Sequence, residues 1–84
     1  MKKTIYILVE SYSDDDGNHS VEVVSIHNTQ KEATKALADL HKDAKSCFDH
    51  PIDEYVRGMY YDINEEDDYD IRRVARIDKK EINV

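Results

Sequence analysis

Apolar and polar residues alternate over two short stretches near the start of the chain, 4–11 and 20–27. A period of two is the pattern of a β-strand, whose successive side chains point to opposite faces. Ser13-Asp14-Asp15-Asp16-Gly17-Asn18-His19 lies between them. Asp-Gly between β-branched runs signals a hairpin, because glycine takes positive φ without a Cβ penalty, so the two strands are expected to pair antiparallel. In the first strand Ile5, Ile7 and Val9 share one face and Thr4, Tyr6 and Leu8 the other. Apolar groups on both faces suit a strand inside a sheet.

Thr29 stands three residues before Glu32, the spacing at which hydroxyl and carboxylate each cap the other's backbone N–H at a helix start. Over 30–46 the period becomes helical: Ala33, Ala36, Leu37, Leu40, Ala44 and Cys47 gather on one side of the wheel, with lysines and acids opposite. Pro51 disfavours helical geometry at His50, so a loop follows. The aromatic and β-branched run 55–63 predicts a third strand, with Gly58 marking a bulge or close approach. After an acidic turn, alternation over 69–77 predicts a fourth strand, closed by Asp78, and the polar stretch 78–84 is expected to fray. The pattern predicts one α+β domain, 1–84, of order β-β-α-β-β: an antiparallel sheet with one amphipathic helix on one face. A single helix cannot cover both faces of four strands, so the second face is left to solvent or a partner.

Composition narrows the class. With 84 residues, 39% hydrophobic and 37% charged, the chain is a small soluble fold with a small core. The apolar stretch after Lys2 and Lys3 ends at Glu10, too short for a signal peptide, and nothing is long enough to span a bilayer. A single cysteine, Cys47, fits a reducing compartment, and a cytoplasmic location is expected, the host cytoplasm if a phage encodes the chain. The net charge of −7 is uneven: −3 over 1–30, zero over 31–50 and −4 over 51–84. That field repels phosphate backbones and favours a basic partner over direct contact with nucleic acid.

Few residues suggest chemistry. Taking Gly17 as the sixth position of a calcium loop puts Tyr12 and Val23 where ligands are required, so Asp14-Asp15-Asp16-Gly17 reads as a solvated turn. His41, Cys47 and His50 have zinc-like spacing, but Cys47 falls on the apolar stripe of the helix, so neither a metal nor a cofactor is expected. Two distant glycines build no phosphate loop, and so small a sheet leaves little room for a cleft, so no catalytic residue is assigned and an enzyme is not expected. Six tyrosines lie in or beside strands, a residue type favoured at protein interfaces. If Ile5, Ile7 and Val9 face the helix, Tyr6 and Leu8 look out from the open side, joined by Tyr60, Arg72, Val74 and Arg76. Stacking of RNA bases on such a face is opposed by the charge.

Ile5-Tyr6-Ile7-Leu8-Val9, the acidic turn, the strand from Val21 to Ile26 and Thr29-Gln30-Lys31-Glu32-Ala33 resemble the layout of small bacterial and phage hairpin-plus-helix proteins. In size and acidity the chain also resembles phage anti-CRISPR inhibitors of bacterial defence. That resemblance implies an inhibitor occupying the nucleic-acid path of an effector. On the residues themselves, the leading expectation is a non-enzymatic module that binds a basic protein surface. Asp14, Asp15, Asp16, Glu65, Glu66, Asp67, Asp68 and Asp70 would act as phosphate-like charge, with Tyr6 and Tyr60 as anchors. The alternative is a housekeeping domain that homodimerises through its open sheet face, with the acids serving only solubility.

Overall fold

The computed structural model describes residues 1–14, 17–48, 52–65 and 71–84, Glu65 by its backbone only. Along the chain run β1 (Lys2–Ser13), β2 (His19–His27), α1 (Gln30–Ser46), β3 (Ile52–Arg57), β4 (Tyr60–Glu65) and β5 (Arg72–Asn83). The strands form one antiparallel sheet in the order β2-β1-β5-β4-β3 with the helix on one face, an α+β domain. As expected, β1 and β2 are paired antiparallel and β1 lies inside the sheet. Gly17 has a φ of 87° in the β1–β2 turn.

The helix keeps the bounds its periodicity predicts. At its start the Glu32 backbone N–H donates to Thr29 Oγ1 at 3.2 Å, which satisfies one of the free donors of the first turn. Ala33, Leu37 and Ala44 are buried against the sheet and Leu40 is half-buried beside them.

Three expectations are corrected. The run 55–63 is two strands rather than one: Gly58, at φ 56°, reverses the chain so that β3 and β4 form a hairpin pairing Arg57 with Tyr60. The sheet therefore has five strands. Residues 69 and 70 of the expected last strand lie outside the described residues; among those described it runs Arg72–Asn83, beyond the expected end at 77, and the stretch after Asp78 does not fray, because β5 pairs with β1 from Ser13↔Arg72 to Lys2↔Asn83. Polar side chains are no obstacle there, since the ladder is made by backbone groups. Cys47 is exposed at the helix C-cap, outside the buried stripe, with its Sγ 3.4 Å from the Asp43 carbonyl.

The faces of β1 are also the reverse of the expectation. Tyr6, Leu8 and Glu10 point toward the helix, while Ile5, Ile7 and Val9 lie on the open side. Ladder partners share a face, so Tyr61, Ile63, Ala75 and Ile77 join Leu8 under the helix. Among the large apolar side chains, Leu8, Tyr61 and Ile63 are fully buried.

Leu37 is only 5% exposed and seals the helix onto the sheet. Leu37→Ala should destabilise the fold by about 2–5 kcal/mol in chemical denaturation. Leu40→Ala, at a half-buried position, should cost clearly less. Equal costs at both positions would show that the helix is rotated from this face.

Candidate functional site

Three places concentrate functional groups. Beneath the helix, Glu10 is a buried carboxylate, 5% exposed. The Tyr61 hydroxyl donates to its Oε2 at 2.8 Å and the Arg73 guanidinium approaches Oε1 at 3.4 Å, so the carboxylate is paired on both oxygens. Burial, reinforced by the bond to Glu10, pushes the Tyr61 hydroxyl well above its ordinary value of 10.0. The His41 ring stacks on Tyr61 at 4.9 Å between centroids, and its Nε2 lies 3.2 Å from Glu54 Oε2. Lys45 Nζ donates to the other Glu54 oxygen at 3.4 Å. Desolvation opposes the shift at Glu54, but the bonds to His41 and Lys45 prevail and its pKa is lowered.

These groups tie the helix to β1, β3, β4 and β5. Each carboxylate oxygen that takes part is spoken for, which suits cohesion better than proton transfer. Sequence reading treated Glu10 as the end of an apolar run. The available signal was its register: Glu10 continues the alternation of Tyr6 and Leu8, so a strand that buries Leu8 carries Glu10 to the same side.

The second place is the end of the sheet at the β1–β2 turn. There Asp14 holds the turn: its Oδ1 accepts from the Asn18 backbone N–H and its Oδ2 from the Asn18 amide, both at 3.0 Å. The Tyr12 hydroxyl donates to the same Oδ2 at 3.2 Å. Asp15, Asp16, Glu66, Asp67, Asp68 and Asp70 lie outside the described residues, as does the Glu65 side chain, whose backbone closes β4.

The third place is the open face of the sheet. Tyr6 and Tyr60 are not brought together: Tyr6 packs half-buried against the core beneath the helix, whereas Tyr60 lies on the open side opposite Arg76. Arg72, Val74 and Arg76 share that side, as the alternation predicts. With the faces of β1 reversed, the apolar groups there are Ile7 beside Ile26, Val9 beside Val23, and Val21 and Val74 flanking Ser11. Val21 and Val23 are each 59% exposed and Ile26 61%.

Beyond this stripe the face is polar. Arg72 Nε donates to Asp62 Oδ1 at 3.0 Å and Arg76 Nε to Asp78 Oδ1 at 3.2 Å. The Arg72 bond holds the Asp62 carboxyl below the usual carboxylate range. Tyr60 donates to Asp62 at 3.4 Å and meets Tyr55 edge-on at 6.1 Å. A hollow of about 400 Å³ opens among Ser13, Asp62, Asn64 and Arg72. Among the described residues, no three His, Cys, Asp or Glu side chains stand close enough to hold a metal ion, and no helix is long and apolar enough to cross a membrane.

Two pH effects follow from these contacts. Tyr61 has a raised folded value, so its contribution to stability is complete below pH 10.0 and is lost as pH rises toward the folded value. Tyr61→Phe should cost about 1–3 kcal/mol near neutrality and remove this alkaline loss, which denaturation at stepped pH would record. Asp62 has a lowered folded value, so its contribution is present above 3.8 and fades as pH falls below that. Asp62→Asn should therefore flatten the acid side of the same curve, and an unchanged acid side would mean that the Arg72 pair adds nothing in solution.

Comparison with family models, with curated proteins and with solved structures found no match.

Proposed function

We propose that this chain is a non-enzymatic protein-binding module whose contact surface is the open face of the sheet. The observation that carries this reading is the row of β-branched side chains on β2, Val21, Val23 and Ile26, each more than half exposed beside half-buried Ile5 and Ile7 of β1. A contiguous apolar patch bordered by tyrosine and arginine is the usual make-up of a protein contact. The internal network of Glu10, Tyr61 and Arg73 pairs both oxygens of the buried carboxylate and so serves cohesion.

A narrower form of this reading is a phage-type inhibitor that meets a basic, nucleic-acid-binding effector with Asp14–Asp16 and Glu65–Asp70. It draws on the charge of −7 and the acidic runs of the sequence. Of these groups Asp14 is already engaged in its turn.

The module reading is tested by placing a photo-crosslinking residue at position 23 on the open face, or at position 39 on the outer side of the helix, in cells. Position 23 should give discrete adducts that position 39 does not, and Val21→Thr with Ile26→Thr should abolish them. Identical adduct patterns at the two positions would overturn the assignment of the face. In the inhibitor form, adducts should weaken when salt is raised in extracts, because a charge-led contact is screened beyond roughly 8 Å near 0.15 M.

A further inference from the structure

We infer that the occupant of the open face is a second copy of this chain, packed sheet against sheet. The inference rests on the reading of that face as a protein contact and names the partner. Three observations support it.

The first is the division of apolar residues between the two faces. Beneath the helix the buried cluster relies on three alanines, Ala33, Ala44 and Ala75, alongside Leu8, Leu37, Tyr61, Ile63 and Ile77. The open side carries Ile5, Ile7, Val9, Val23, Ile26 and Val74, a comparable store of apolar volume. Val9 is only 8% exposed without belonging to the helix-side cluster, so its neighbours on the open face already pack around it. A small domain that leaves this much aliphatic side chain outside its core gains most from a permanent partner. The partner present wherever the chain is made is its own copy.

The second is charge. Two copies of a chain at −7 repel each other, so a contact between them must keep the acids at a distance. The open face does so. It carries Asp53, Asp62 and Asp78 against Lys3, Arg57, Arg72, Arg76 and Lys80, and Asp62 and Asp78 are held by Arg72 and Arg76. On the described part of this face bases outnumber acids.

The third is area. Five strands about 4.8 Å apart run side by side along Val9–Ser13 of β1 and three along Tyr6–Leu8, a footprint of roughly 550 Å². Two copies then bury on the order of 1,100 Å², above the roughly 1,000 Å² that a specific interface needs. The sheet edges are less suited to pairing. Lys2 and Lys3 occupy the stretch of β1 beyond β2, Lys79 and Lys80 the stretch of β5 beyond β4, and β2 bulges where the register shifts between Leu8 and Val9. Lysines and bulges discourage edge-to-edge addition.

Sedimentation equilibrium of the full chain tests this, with Val23→Glu on the open face and Lys42→Glu on the outer side of the helix as control. The wild type should be a dimer at micromolar concentration, and Val23→Glu should raise its dissociation constant about thirtyfold or more, while Lys42→Glu should not. Circular dichroism checks that Val23→Glu folds, and Val23→Thr, which keeps the shape and the strand preference, should weaken the dimer in the same direction. Raising salt should hold or tighten the dimer by screening repulsion between like-charged copies. A wild-type monomer at millimolar concentration would overturn the inference while leaving crosslinking from position 23 to show a different partner. A dimer that ignores Val23→Glu, or that salt dissolves, would overturn it as well.

Discussion

A helix of 17 residues is about 25 Å long and 10–12 Å across with its side chains. Five strands side by side span roughly 24 Å. The one helix therefore shields a band on one face, and the rest of the architecture answers to that shortage of cover. Leu8, Tyr61, Ile63 and Ala75 are buried because they fall under the band, while Val21, Val23 and Ile26 stay exposed because no second layer among the described residues covers their side of the sheet. The polar network of Glu10, Tyr61, Arg73, His41 and Glu54 extends what the helix holds, fastening it by charge-assisted bonds where aliphatic packing is thin.

Much of this was legible in the sequence, and the failures have physical causes. The helix was legible because cap chemistry and the 3.6-residue period agree at Thr29, Glu32 and Leu37. The hairpin at Gly17 was legible because Asp-Gly has one dominant use between strands. At Gly58 the same residue type was read as a bulge, since its flanks are all strand formers and only backbone φ separates a kink from a reversal. The end of β5 was read as a loose tail because Asp78, Lys79, Lys80 and Glu81 have low strand preference. Pairing with Lys2–Ile7 overrides that preference in a way no local window can register.

The candidate site was legible only in part. Alternation assigned Tyr60, Arg72, Val74 and Arg76 to one face correctly, because they follow from register within β4 and β5. It could not decide which face of β1 the helix would choose, since Tyr6 and Leu8 are as apolar as Ile5 and Ile7. With the helix on the side of Leu8, the register of Glu10 brings it to the Tyr61 hydroxyl and Arg73, both offered from strands further along the chain. That choice turned the aliphatic row outward and made it the surface that requires explanation.

The central claim is that this aliphatic row is a contact surface rather than a solvated one. A soluble paramagnetic agent, applied while methyl signals of Val21, Val23, Ile26, Leu8 and Leu37 are followed by NMR, tests it most directly. The contact account requires the attenuation of the Val21, Val23 and Ile26 methyls to fall toward that of Leu8 and Leu37 as the chain is concentrated from micromolar to millimolar. Methyls on the open face that stay fully attenuated throughout, in the chain alone and with the proteins that crosslink to position 23, would contradict it.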